Sequence, residues 1–203
     1  MGCTLGLKLS GKYSLFFLDG HTDFVMPHNS ITKGAAGMDL AIVTGNGHNK
    51  LTNIRNQKPY VKEEWVWCAG NREYDERYVQ PILKSKINYY DLKRLREEGM
   101  KKCINSFIRM VNDENLDGFW MHIDVDVLND NIMPAVDSRN VDGLSYAEFA
   151  DLLQPLLAHP KVAGMELTIL DPELDKDGRY TKAFVKVLSK LLVKRGGEVS
   201  EYG

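Results

Sequence analysis

An aspartate, a histidine and a second aspartate, Asp19, His21 and Asp23, alternate at the end of the apolar stretch Leu15-Phe16-Phe17-Leu18. Alternate residues of an extended chain face the same side, so the three side chains are expected to converge. Asp124 and Asp126 repeat the arrangement at the end of Gly118-Phe119-Trp120-Met121-His122-Ile123. Two apolar strands then deliver carboxylates at their C-terminal ends, the edge at which open parallel sheets bind ligands. Carboxylates gathered there repel one another or take up protons unless cations hold them. Oxygen and imidazole donors without thiolate suit Mn²⁺ or a similarly hard divalent ion better than structural Zn²⁺. A carboxylate-bridged pair of ions fits the number of ligands, and such a pair makes hydroxide at neutral pH, the arrangement used for hydrolysis. Helix-capping aspartates and a structural His21 explain either motif by itself, but not both at matched strand ends.

The elements that must position these groups read as an alternation of strands and helices. Strands are expected at 13–19, 64–70, 87–90, 118–123 and 162–169, and the fragment 5–9 reads as the tail of a helix. Further helices are expected over 73–84 with an interruption near Pro81, from an Asp91 cap to Glu98, over 101–112, from a Ser145 cap to Leu157, and over 181–193. Glu148 three residues after Ser145 makes a capping box. Cys103, Phe107, Ile108 and Val111 fall on one helical face. The long polar loop 24–37 is expected to shape a pocket, 38–43 is ambiguous between helix and strand, and 44–50 reads as a turn. The tail from 196 is expected to fray. This order predicts an α/β fold, three layers (α/β/α) around a mostly parallel sheet, in a single domain over 1–203.

Composition narrows the function classes. The 203 residues carry 26 Lys and Arg against 28 Asp and Glu, a net charge of -2, which advertises no nucleic-acid footprint and no membrane-surface patch. No apolar run approaches the roughly 20 residues of a membrane span. Three scattered cysteines, Cys3, Cys68 and Cys103, argue for a reducing, cytoplasmic setting. A small-molecule substrate is the expectation.

Taken together, the motifs resemble those of the ureohydrolases, the arginase, agmatinase and formimidoylglutamase family, over Thr4 to about Arg195. Leu18-Asp19-Gly20-His21-Thr22-Asp23 is similar to the family's Asp-Ala-His-x-Asp, and His122-Ile123-Asp124-Val125-Asp126 to its Ser-x-Asp-x-Asp. Met133 to Ser138 with Asp142-Gly143-Leu144-Ser145 resembles its Pro-Ala-Thr-Gly-Thr…Gly-Gly-Leu-Ser run, Met165-Glu166-Leu167 its late Glu segment, and Asn71-Arg72-Glu73 its Arg-Asp turn. The resemblance implies an arginase-like sheet and two Mn²⁺ ions bridged by Asp19 and Asp124, with Asp23 on the first ion and His21 and Asp126 on the second. It implies that Asp126 lies near the attacking hydroxide, that Glu166 accepts hydrogen bonds from a guanidinium or amidine, and that Ser138 contributes to substrate binding. A small guanidino or amidino substrate, hydrolysis of a C–N bond and a homo-oligomer are likewise implied.

Two departures stand against these matches. The family's Gly-Gly-Asp-His-Ser ligand motif would precede Thr4, so the fold is expected to be incomplete at its N-terminal side and the first ion to lack its imidazole; Cys3 is read as unrelated to the site. The proton-shuttling His of arginases would fall thirteen residues after Asp23, which is Ala36. General acid–base help contributes about 10²–10⁴-fold, so its absence lowers the expected rate without removing the nucleophile. A catalytically impaired domain acting as an interaction scaffold therefore remains the alternative, and a binuclear phosphoesterase a weaker one, since no Arg/Lys clamp sits near the motifs. His122 is read as a strand histidine packed in or near the core, and Trp65, Trp67 and Trp120 as core. His28, His48, His159 and the Lys84, Lys86, Lys93, Arg94, Arg96 group are read as surface.

Overall fold

The structure, a computed structural model, describes residues 1–31 and 33–193. Tyr13–Leu18 (β1) is apolar on both faces, and such a strand needs cover on both sides. It lies at the centre of a five-stranded sheet with Val66–Ala69 (β2), Asn88–Tyr90 (β3), Gly118–Asp124 (β4) and Val162–Thr168 (β5), in the order β3-β2-β1-β4-β5. Every pairing is parallel. β1 and β4 run in register from Tyr13 opposite Gly118 to Leu18 opposite Ile123, so Asp19 and Asp124 leave the sheet side by side.

The two faces are distinguished by alternate residues. On one, Phe16, Trp67 and Phe119 surround Phe107 of the helix Met100–Asp113 (α6), with ring centroids 5.1, 5.5 and 5.1 Å away and edge-on geometry. Helix Tyr146–Ala158 (α7) packs beside α6 and buries Phe149, Leu152, Leu153, Leu156 and Leu157. Its start follows from the expected capping box, in which Ser145 Oγ accepts from Glu148 N and Glu148 Oε2 from Ser145 N. The last helix, Arg179–Val193 (α8), lies against α7. On the other face, Leu15 and Trp120 meet helix Gly2–Ser10 (α1), and Phe17 stacks on the His122 ring at 4.5 Å.

Several boundaries moved for local reasons. Residues 63–65 form a 3-10 turn, so β2 starts at Val66 rather than Glu64. The helix expected from Glu73 is Glu76–Leu83 (α4), because the Asp75 carboxylate accepts from Arg77 N and makes the N-cap there; Pro81 is held within it. The ambiguous 38–43 stretch is the helix Asp39–Val43 (α2), and His48 Nδ1 caps the short helix Asn49–Thr52 (α3) inside the expected turn. Asp91 caps Leu92–Glu98 (α5) as expected, through Arg94 N. Arg96 is exposed, as expected, and pairs with Glu148 at 2.7 Å and Asp142 at 2.8 Å, tying α5 to the start of α7. Trp65 and Trp67 are buried and Trp120 partly so. Among the described residues no helix is long and apolar enough to cross a membrane. The stretch from 196 lies outside the described residues.

Candidate metal centre

The C-terminal edge of the sheet gathers two groups of potential ligands that share one residue. Asp19, His21 and Asp126 form one; Asp19, Asp124 and His122 form the other. In the first, His21 Nδ1 lies 3.0 Å from Asp126 Oδ2 and 3.7 Å from Asp19 Oδ1. In the second, His122 Nε2 lies 3.0 Å from Asp124 Oδ1 and 3.7 Å from Asp39 Oδ2. Asp19 has no exposed surface, and while its Oδ1 accepts from His21 N at 2.7 Å, its Oδ2 has no partner. Asp39 Oδ1 and His122 Nε2 also lack an aligned hydrogen bond.

Electrostatics report the same crowding. Burial, then the charges of Asp126 and Asp124, push the Asp19 carboxyl well above the usual carboxylate range, against the pull of His21. Burial, then Asp19, Asp39 and Asp124, do the same to Asp23. Asp39 rises to about 6, through burial and the charge of Asp124, despite His122. Burial works against charge on His21, but hydrogen bonds to Asp126 and Asp19 overcome it and raise the imidazole to about 11. Burial likewise opposes charge on His122, but the carboxylates close to its two nitrogens, Asp124 and Glu166, raise it to about 11. Protons thus stand in for positive charge that the carboxylates demand. Oxygens of Asp19, Asp124 and Asp126 with imidazole nitrogens, one oxygen wholly unpartnered, are a donor set that fits a pair of hard divalent cations.

Each expected residue can now be placed. Asp19, His21, Asp124 and Asp126 converge. Asp23 lines the same cavity but stands outside both three-ligand groups: the chain leaves the extended conformation after Leu18, and Asp23 adopts φ 42°, so the alternation does not carry to it. Ser138 is exposed at the rim of that cavity of about 190 Å³, with His21, Asp23, Ala36, Asp124, Asp126 and Asp137. Ala36 presents only a methyl group where a proton shuttle was sought, and His28 is exposed and does not line the cavity.

Glu166 is not among the residues that line this cavity: Oε1 is 3.0 Å from His122 Nδ1 and Oε2 accepts from Cys3 Sγ at 3.3 Å. Cys3, read as unrelated, therefore touches the site's support. His122 is buried and packed in its strand, as expected, with its ring stacked on Phe17, and its nitrogens also lie beside Asp39, Asp124 and Glu166. The period of two that pairs Asp124 with Phe17 and Asp19 on one face extends back to His122, so the signal was present. Asp39, at the first turn of α2, carried no such signal.

Arg72 locks the two strand ends together. Its guanidinium is buried, with Nη2 donating to the carbonyls of Asp126 at 2.7 Å and Asn140 at 3.1 Å and Nε to Val141 at 3.1 Å. A Cβ at Gly20 would lie 2.6 Å from Arg72 Nη1 and 3.0 Å from Asp126 Oδ1. The motif it resembles has Ala there, yet with Arg72 anchored three ways Gly20→Ala should destabilise this chain by about 1–3 kcal/mol. Urea unfolding should show the midpoint fall; an unchanged midpoint would mean that Arg72 yields.

Known proteins share this architecture. A model of the arginase family matches residues 4–193. The arginase of Bacillus subtilis (strain 168) is 28% identical over 181 residues, 89% of this chain and 60% of that protein. The arginase of Bacillus caldovelox is 26% identical over 180 residues, with 89% and 60% covered. A crystal structure of arginase from Bacillus subtilis superposes with a TM-score of 0.86 at 26% identity, covering 98% of this chain and 69% of that one. The formimidoylglutamase of Bacillus subtilis subsp. subtilis str. 168 shares the fold, with a TM-score of 0.72 at 22% identity over 89% and 52% of the two chains. The chain spans about 60% of the length of the arginases it matches. A family match over nearly all the described residues, on a parallel sheet whose edge carries the expected aspartates, establishes that this chain belongs to the arginase family.

Proposed function

We propose that the chain is a metal-dependent hydrolase of C–N bonds in linear guanidines or amidines. The observation that carries this reading is the pair of ligand groups sharing Asp19, whose second carboxylate oxygen has no protein partner. Asp19, His21, Asp124 and Asp126 would hold two divalent cations, Mn²⁺ being the ion that such donors favour, with Asp23 beside the first. Bound there, the ions supply Lewis acidity and an ionised water at neutral pH. Asp126 Oδ1 is fixed by accepting from Gly20 N at 3.1 Å, which leaves Oδ2 directed at His21. The carboxylates of Asp23 and Asp137 and the hydroxyl of Ser138 line the approach and suit a cationic substrate. The hydrogen bond with His122 is the chief cause that holds the Glu166 carboxyl down at about 2. Three free cysteines, two of them buried, support a reducing, cytoplasmic setting.

Two measurements test the proposal. Mn²⁺ at a hundredfold excess over its dissociation constant should stabilise the chain by about 2.7 kcal/mol, a rise in Tm of about 5–11 °C for a protein of this size, reversed by a chelator. Loaded protein should then release urea, or the matching amide or amine, from one of a panel of guanidino and amidino compounds. Metal uptake without hydrolysis of any of them would remove the enzymatic reading.

A further inference from the structure

We propose that His122 is itself a metal ligand, completing a site with Asp19 and Asp124 through Nε2, and that Glu166 is the carboxylate that orients it. This rests on the reading of the sheet edge as a metal centre and goes beyond it by assigning a ligand where the resembled motif has Ser. Three observations converge. First, His122 and Asp124 are two apart on β4, and the register sets them beside Phe17 and Asp19 of β1, so strand geometry alone places the imidazole on the ligand face. Second, the ring is fixed twice: stacked on Phe17 with planes 8° apart, and held at Nδ1 3.0 Å from Glu166 Oε1. With Nδ1 turned to that carboxylate, Nε2 is the nitrogen left for an ion. A carboxylate–histidine–metal chain is the usual support of a ligating imidazole.

Third, His122 is only 7% exposed, its Nε2 lacks an aligned hydrogen bond, and it falls in one ligand group with Asp124 and with Asp19, whose Oδ2 has the same deficit. Its 3.0 Å separation from Asp124 Oδ1 is too misaligned for a good hydrogen bond but matches two neighbouring ligands of one octahedral ion, which are about 3 Å apart when each bond is about 2.1 Å. Asp39 Oδ2 lies 3.7 Å from the same nitrogen. Thr168 Oγ1 donates to Asp124 Oδ1 and steadies that carboxylate.

The test is metal stoichiometry and affinity, by elemental analysis after Mn²⁺ loading and by calorimetric titration, on the full 203-residue chain and on His122→Asn and Glu166→Gln. The unsubstituted chain should hold two ions. His122→Asn should keep one, on the Asp19, His21 and Asp126 side, and Glu166→Gln should keep both but bind one of them 10–100-fold more weakly. The paired ions should also give a coupled electron paramagnetic resonance spectrum that collapses to a single-ion Mn²⁺ spectrum in His122→Asn. Two ions bound with unchanged affinity in both variants would overturn the assignment and leave the metal centre standing. No ion bound by the unsubstituted chain would overturn both. If His122→Asn does not fold, Glu166→Gln decides alone: unchanged affinity for both ions sinks the proposal.

Discussion

Asp19→Asn is expected to weaken the binding of both cations at least 10²-fold while making the metal-free chain more stable. Asp19 is the one residue common to both ligand groups, so losing its charge weakens each. The substitution keeps the size of the side chain and its acceptor for His21 N. What it removes is a fully buried carboxylate whose burial and acidic neighbours disfavour ionisation and whose Oδ2 has no partner. Relief of such a group is worth about 1–3 kcal/mol, or a rise in Tm of about 2–12 °C at 2–4 °C per kcal/mol. Metal affinity should fall at least 10²-fold, and the Mn²⁺-dependent Tm shift should vanish. Differential scanning fluorimetry with and without Mn²⁺ reads both effects in one experiment. A variant less stable than its parent without metal would show that Asp19 serves the fold and not an ion.

Phe107→Ala should give the largest loss of stability from a single truncation. The ring has no exposed surface and makes edge-on contacts with Phe16, Trp67 and Phe119, so three strands of the sheet rest on it. Truncating such a residue costs about 3–5 kcal/mol through lost transfer free energy and the cavity left behind, which predicts a fall in Tm of about 6–20 °C. Phe107 lies on the sheet face opposite Phe17 and His122, so the metal-to-protein ratio of the variant, measured below its transition, should stay that of the parent. A changed ratio would mean that the two faces are not independent. A loss under 1 kcal/mol would mean that α6 closes the cavity.

The parts of this fold that were legible in the sequence are those that obey a short-range rule. The apolar runs of β1 and β4, the capping box at Ser145 and the helical face of Cys103, Phe107 and Val111 each depend on residues within a few positions of one another, and each stands where it was expected. Boundaries failed where a single side chain outweighed the pattern, as Asp75 does at α4. The site divides in the same way. Asp19, His21, Asp124 and Asp126 follow strand-end motifs, whereas the surroundings of His122 come from four separate stretches: Asp39 from α2, Phe17 from β1, Glu166 from β5 and Asp124 from its own strand. The period of two places His122 on the face of Asp124 but gives no sign of Asp39 and Glu166 beside it. Asp39 and the contact of Cys3 with Glu166 were invisible for that reason, being products of packing and not of spacing.

The first turn of α1 lies at the support of the metal centre: Cys3 donates to Glu166. Whatever is fused ahead of Met1 therefore emerges beside the ligands. A polyhistidine purification handle placed there would set foreign imidazoles in competition for the same ions and falsify any stoichiometry. The handle belongs at the other terminus, and an N-terminal one must be cleaved before metal is counted.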